Sequence, residues 1–303
     1  MTDERAGTRA AGVLLVDKPG GITSHGVVGA ARRALGTRKV GHAGTLDPMA
    51  TGLLILGVGT ATRLLTHIVG LGKTYEATIR LGESTTTDDA EGESVARADA
   101  SAVPRSAIDA GIAALTGAID QVPSAVSAIK VDGKRAYARV RAGEEVELAP
   151  RRVTVSRFEV LTERRDPDAG TVDLDVVVEC SSGTYIRALA RDLGAGLGVG
   201  GHLTALRRTA IGPFDVADGA AVDAISPSVL RAPAAIASAL FPSVALDDDA
   251  AARLGDGKRV PVAAPDAPLV AALHDGRLTG IVEVRDGVAR VVVNFPQGAP
   301  DTV

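Results

Sequence analysis

Gly41-His-Ala-Gly-Thr-Leu-Asp-Pro-Met-Ala-Thr-Gly52 is the stretch on which the reading of this chain turns. Asp47 stands directly before Pro48, and a residue before proline is pushed towards extended backbone, which holds a side chain out of a loop in a defined direction. Gly44 and Gly52 permit tight turns and the close approach of a ligand. Taken alone, an Asp-Pro pair is most often a turn element. Here His42 and Thr45 lie beside it, and Asp47 and Asp17 are the only acids between residues 12 and 75, against seven basic residues. A single carboxylate in basic surroundings stays ionised and is available as a nucleophile or base.

Working outward, Gly12-Val-Leu-Leu-Val16 reads as a buried strand, broken by Asp17-Lys-Pro-Gly-Gly21. Thr23 or Ser24 caps a helix over about 25–35. Residues 39–59 are rich in glycine and read as loop, and 60–69 as helix. Residues 74–81 alternate, with Tyr75, Ala77, Ile79 and Leu81 on one side, as a half-buried strand does. Residues 82–103 are acidic and polar, expected to be exposed, and 107–115 read as helix. The stretch 121–152 is irregular and basic around a short helical segment at 135–142. Strands are expected at 153–161 and 171–179, joined by a charged turn at 162–170. A helix follows at 184–197, a strand at 203–211, and an Ala/Pro-rich helix and linker at 226–239. From about 246, short apolar runs are separated by Asp275-Gly276 and Asp286-Gly287, the mark of a small β-rich unit with hairpins.

Composition excludes several classes. A length of 303 residues suggests two domains, with one large domain as the alternative. With 46% hydrophobic and 23% charged residues there is ample material for a core. No run of about 18 apolar residues exists to span a membrane. Residues 1–10 have no apolar stretch of the kind a signal peptide needs, and a cytoplasmic protein is the simplest expectation. One cysteine, Cys180, excludes a disulfide framework and a cysteine-rich zinc site. The five histidines form no H-x-x-x-H pair, and no metal site is expected. Gly72-Lys73-Thr74 imitates the end of a phosphate-binding loop, but His67 stands where that loop requires glycine. Gly57-Val-Gly59 begins a dinucleotide fingerprint that Thr62 does not complete.

The net charge of −4 conceals an uneven distribution. Residues 76–120 hold nine acids and three bases, whereas 128–152 hold seven bases and four acids. Two basic blocks flanking an acidic one are compatible with a positive face, but charge alone favours ordinary surface patchiness. Aromatic residues are only 2% of the chain, too few for a base-stacking platform.

The Gly41–Gly52 segment is similar to the catalytic motif of pseudouridine synthases, and most to that of the bacterial TruB family, which converts uridine 55 in the TΨC loop of tRNA to pseudouridine. Four further stretches agree in the same order. Val16-Asp-Lys-Pro-Gly-Gly-Ile-Thr-Ser24 resembles the family's Lys-Pro motif. Lys73-Thr-Tyr-Glu76 resembles its Lys-x-Tyr motif, Val178-Glu-Cys-Ser-Ser-Gly-Thr-Tyr-Ile-Arg187 its Gly-Thr-Tyr-Ile-Arg motif, and Leu206-Arg-Arg-Thr209 its Leu-Arg-Arg segment. Together they span about 12–215.

The resemblance implies an α+β fold: a mixed β-sheet catalytic domain with flanking helices over 12–245, a thumb-like RNA-gripping insertion at 121–152, and a small β-rich PUA-like domain over 246–303. It implies that Asp47 is the nucleophile, that Arg187 pairs with it, and that Tyr75 stacks on the base. Whether Asp47 first attacks the ribose or the pyrimidine stays open. His42, Tyr185 and Leu206 would contact the substrate. Lys18, Lys130, Lys134, Arg135, Arg139, Arg141, Arg151, Arg152, Arg207 and Arg208 would contact RNA, although Lys18 and Pro19 are also read as supports of the site. Tyr137 is a further possible stack. The family's double proline and aromatic before Ser-Ala-x-Lys are replaced here by Pro123-Ser124 and Val126, so the loop contacts differ. The expected partner is the tRNA T-arm stem-loop, with no membrane, nucleotide or metal cofactor, and the expected state is a monomer. A non-catalytic tRNA chaperone, or a synthase acting on another RNA, are the competing readings.

Overall fold

A computed structural model describes residues 11–124, 130–131, 134–135 and 148–295. The protein is α+β. Its first elements are β1 (Gly12–Lys18), α1 (Ser24–Ala34), β2 (Val40–His42), β3 (Thr51–Val58) and α2 (Leu65–Val69), which is entered through a 3₁₀ turn at Gly59–Leu64. Next come β4 (Lys73–Leu81), β5 (Glu83–Thr85), β6 (Ser94–Arg97), α3 (Arg105–Ala114), β7 (Gly117–Gln121), β8 (Lys130–Val131) and β9 (Lys134–Arg135). These lead to β10 (Arg151–Asp166), β11 (Thr171–Cys180), α4 (Ile186–Gly196), β12 (Gly201–Ile211), β13 (Phe214–Asp215) and β14 (Ala220–Ala221). The last are α5 (Pro233–Leu240), β15 (Ser243–Ala245), α6 (Asp248–Gly255), β16 (Val260–Pro261), β17 (Ala267–His274), β18 (Arg277–Arg285) and β19 (Val288–Asn294).

The chain divides into two compact units. One comprises residues 1–48, 52–69 and 213–303, the other 49–51 and 70–212. In the first, β1 pairs antiparallel with β3 and parallel with β14, and β2 pairs antiparallel with β3. The glycines of 39–59 predict a loop; the structure instead forms β2 and β3 there. Leu53, Leu54, Ile55 and Leu56 are fully buried, and a run apolar on both faces belongs inside a sheet. Gly57 marks close packing: a Cβ there would meet the Thr62 backbone at 2.8 Å. The same unit carries the five-stranded sheet β15-β17-β18-β19-β16. Both expected hairpins form, with Asp275 and Asp286 at positive φ followed by glycine, as two-residue turns require. Helix α6, which the sequence reading did not foresee, packs Ala251 and Leu254 into that sheet's core.

In the second unit, β12, β4, β11, β10 and β7 are antiparallel neighbours in that order. Tyr75, Ala77, Ile79 and Leu81 are buried on one face of β4, as the alternation predicts. Strand β10 runs on to Asp166, so the turn expected at 162–170 shrinks to its last residues. Helix α4 lays Ile186, Leu189, Ala190 and Leu193 inward. Residues 82–103 are not wholly exposed: β5 and β6 pair there, and Asp89 and Ala100 are buried. The helix expected at 135–142 lies outside the described residues, apart from Arg135 in β9.

Candidate active site

The Asp47 loop is held on both sides of the aspartate. Ser24, the first residue of α1, is buried, and its Oγ accepts the Leu46 N–H at 2.8 Å and donates to the Leu46 carbonyl at 3.0 Å. On the other side, the Pro48 carbonyl accepts from the Gly21 N–H at 2.9 Å and from Lys18 Nζ at 3.2 Å. Lys18 Nζ also donates to the carbonyls of Pro19 and Ile22, each at 2.9 Å. Gly21 reaches Pro48 from φ +79°, a backbone region that favours glycine. Thr23 caps α1 through the Gly26 N–H at 2.9 Å, so the helix that presents Ser24 is itself fixed. Asp47 is half-buried between these two anchors. With both neighbours tied down, the position of the Asp47 backbone and the direction in which its side chain leaves the loop are fixed, as a positioned nucleophile or base requires.

Lys18 was expected among the RNA contacts. Its side chain has no exposed surface and its ammonium is committed to three carbonyls, so it fits the alternative reading as a support of the site. His42 lies in β2, half-buried, with its ring edge-on to His25 at 5.6 Å between centroids.

In the second unit, Tyr75 stands in a cross-strand row between Val178 of β11 and Arg208 of β12. Tyr75 is 8% exposed and Leu206 is 7% exposed, so both are buried. Tyr185 is the N-cap of α4, and Arg187 lies in that helix's first turn. Arg187 Nη1 donates to the Thr87 carbonyl at 2.7 Å and pairs with the Asp89 carboxylate at 3.4 Å, both side chains only 4% exposed. A buried guanidinium needs such compensation, because an ion taken out of water without a counter-charge costs several kcal/mol. Asp89 is in turn held by Thr87 Oγ1 and by the Glu91 N–H.

Beneath Tyr75 lies a second buried group. Lys73, Cys180 and Ile211 share a row, and Lys73 Nζ donates to the Leu71 carbonyl at 2.6 Å. Burial, aided by the charge of Arg208, lowers the Lys73 ammonium to about 8. Burial raises the Cys180 thiol to about 11. Arg208, expected to touch RNA, is 1% exposed and belongs to this buried group. Arg207 instead lines an open groove of about 580 Å³ on the sheet, with Glu76, Thr78, Asp175, Thr204 and Leu206.

Arg151 and Arg152 are exposed where β10 begins, and Arg152 pairs with Asp120 at 3.1 Å. Lys130 and Lys134–Arg135 lie on the paired strands β8 and β9. Arg139, Arg141 and Tyr137 lie outside the described residues. Among the described residues, Asp248, His274 and Asp275 bring ligand atoms within 4.8 Å of one another. Both carboxylates are well exposed, and groups of this kind are common without an ion.

Ser24, Asp89 and Gln121, whose amide meets the Tyr185 backbone, are site residues that sequence reading missed. Ser24 closes a quoted motif, but only as a possible cap. Asp89 is one of five acids between 83 and 93, and nothing local separates it from the rest. Gln121 is an uncharged residue at a strand end, with no signal of its own.

Comparison with known proteins bears on what this arrangement is. The family model described as "TruB family pseudouridylate synthase (N terminal domain)" matches residues 32–186, about half the chain. The chain belongs to the TruB family of pseudouridylate synthases. The model described as "tRNA pseudouridylate synthase B C-terminal domain" matches residues 187–241 of this TruB-family chain. It is 58% identical over 298 residues to the tRNA pseudouridine synthase B of Leifsonia xyli subsp. xyli, covering 96% of this chain and 98% of that protein. It is 54% identical to that of Thermobifida fusca, covering 94% and 99%. Its fold is similar to a chain in a solved Cbf5-Nop10-Gar1 complex, with a TM-score of 0.69 and 25% identity over 100% of this chain and 94% of that one. A chain in an H/ACA RNP bound to a substrate RNA containing 2'-deoxyuridine also has a TM-score of 0.69, with 24% identity over 96% of this chain and 87% of that one. This TruB-family member is therefore an isomerase of the pseudouridine-forming class. Among its described residues, no helix is long and apolar enough to cross a membrane.

Proposed function

We propose that this chain isomerises uridine 55 in the TΨC loop of tRNA to pseudouridine, with Asp47 as the nucleophile. The observation that supports this best is the doubly anchored Asp47 loop, in which Ser24 holds Leu46 while Lys18 and Gly21 hold Pro48. The reaction breaks the C1′–N1 bond of the nucleoside and forms C1′–C5; the C5 proton leaves and N1 gains one. A stacked uridine presents neither bond to a carboxylate, so the base must be flipped out, at a cost of a few kcal/mol.

In this reading Tyr75 stacks on the flipped base, and Tyr185 and Leu206 give the pocket an apolar wall. His42 touches the RNA loop beside the target. Arg187 pairs with Asp47 and orients it. The rearrangement involves no net oxidation or hydrolysis, so the proposal includes no cofactor. The exposed Arg151 and Arg152 and the half-buried Arg207, together with Lys130, Lys134, Arg135, Arg139 and Arg141, meet phosphates of the T-arm. Residues 12–245 are taken as the catalytic domain, 121–152 as its RNA-gripping insertion and 246–303 as a PUA-like domain. The enzyme is taken to act as a monomer in the cytoplasm.

Unmodified tRNA and an isolated T-arm stem-loop, incubated with the protein and mapped chemically at each uridine, test this. Pseudouridine is expected at position 55, and Asp47→Asn is expected to bind RNA without forming product. Product at another uridine would overturn the substrate, and turnover by Asp47→Asn would overturn the nucleophile. Binding without product from the unaltered protein would favour a chaperone.

A further inference from the structure

Gln121 ends β7, directly opposite Arg151 of β10, and is 2% exposed. Its amide turns to the backbone of Tyr185. Nε2 donates to the Tyr185 carbonyl at 3.0 Å, and Oε1 accepts the Tyr185 N–H at 2.8 Å. Two opposed hydrogen bonds to one residue are what an antiparallel strand supplies to its neighbour. Here a side chain takes the strand's place, at the point where the chain passes from β11 into α4. Tyr185 is the helix N-cap at φ −103° and ψ 108°, and no side chain of its own caps the helix. The Gln121 amide thus fixes the two dihedrals that aim the Tyr185 ring and start the helix. The next residue along the chain, Val122, accepts from Arg191 Nη2 at 2.7 Å, so the end of β7 holds α4 at two points. Arg187 lies between those points.

We infer that Gln121 is a positioning residue for the isomerisation: its amide places Tyr185, and through the first turn of α4 Arg187, in the reactive arrangement. This role presupposes that Tyr185 and Arg187 act as proposed above. The chemistry of the amide is specific. Leucine keeps the volume and loses both hydrogen bonds. An ionised glutamate keeps the acceptor for the Tyr185 N–H but sets an anionic oxygen against the Tyr185 carbonyl. A protonated glutamate restores one donor and one acceptor, the pattern of the amide.

Single-turnover kinetics on the T-arm stem-loop, with Kd measured separately, test the role in the full-length protein. Gln121→Leu is expected to slow the bound-state rate by roughly 10- to 100-fold, the penalty of a small misplacement, with Kd changed by less than about threefold. Gln121→Glu is expected to approach the unaltered protein as pH falls from 8 to 5.5, the ratio of the two rates rising as the carboxyl is protonated. A bound-state rate of Gln121→Leu equal to that of the unaltered protein would overturn the role, as would a loss confined to Kd. If Gln121→Leu does not fold, the ratio for Gln121→Glu decides, and a ratio that does not rise with acid overturns it. Asp47→Asn is run beside them. Product from Asp47→Asn would remove the reading of the site, and this role with it; an inactive Asp47→Asn beside a normal Gln121→Leu would remove this role alone.

Discussion

The hydroxyl of Ser24 holds both backbone groups of Leu46, accepting the N–H at 2.8 Å and donating to the carbonyl at 3.0 Å. Asp47 is the next residue, so a buried side chain at the start of α1 sets the approach to the carboxylate across 22 positions of sequence. Ser24→Ala leaves two buried backbone groups without that partner, at a cost of about 1–3 kcal/mol. It should lower the thermal midpoint and reduce the bound-state rate more than RNA affinity. Melting curves and single-turnover assays read the two effects separately.

Lys18 acts on the other flank. Lys18→Met keeps most of the buried side-chain volume and removes the ammonium that three carbonyls share. Loss of product formation with an unchanged salt slope of RNA binding is expected. A reduced salt slope would show instead that Lys18 meets phosphate.

Arg187 and Asp89 form a buried pair, and each should fail differently. Arg187→Lys keeps the charge but loses the planar fork; a fall in rate on the order of 100-fold is expected from lost positioning. Asp89→Asn removes the carboxylate that pairs with the buried guanidinium, and breaking a buried pair typically costs about 3–5 kcal/mol. Chemical denaturation should therefore separate Asp89→Asn, destabilised, from Arg187→Lys, nearer to the unaltered fold but slow.

RNA affinity should fall as salt rises, because binding to phosphates releases counterions. Replacing Arg151 and Arg152 together by alanine should reduce the slope of log K against log salt by roughly 0.7–0.9 for each phosphate that the two arginines neutralise. Titrations across a salt series measure it, and an unchanged slope would take these two arginines off the RNA surface.

Lys73 gives stability a pH dependence with a defined sign. In the fold its ammonium titrates at about 8, against an ordinary value of 10.5. Between those values the unfolded chain holds a proton that the folded chain has released, so stability rises with pH through that window. Cys180 acts in the opposite sense from 9.0 to about 11, where the folded thiol keeps a proton that the unfolded chain loses. Between pH 8 and 9 the lysine contribution is the larger of the two, because the unfolded thiol is only beginning to lose its proton. Lys73→Met should flatten the rise there, as urea unfolding at pH 7.5, 8.5 and 9 will show.

Much of the architecture was legible because it is locally encoded. The alternation at 74–81 is that of β4, Thr23 caps α1, and the two Asp-Gly pairs are the C-terminal hairpin turns. The misreading of 39–59 has a physical cause: glycines that serve close packing, as Gly57 does against Thr62, are indistinguishable in sequence from glycines that serve a loop. Helix α6 went unseen because its eight residues are short and carry little apolar pattern beyond Ala251 and Leu254.

Sequence alone determined the residue types and their order: one aspartate in a basic block before a proline, a tyrosine on an alternating strand, and an arginine opening a helix. Those are local facts, written in spacing and neighbouring residues. Only the tertiary structure decided what surrounds them. Ser24 reaches Leu46, Asp89 compensates Arg187, and Gln121 grips Tyr185 across 22, 98 and 64 positions of chain. Hydrogen bonds and ion pairs depend on distance in space, and a linear pattern carries no record of which distant groups burial will bring together.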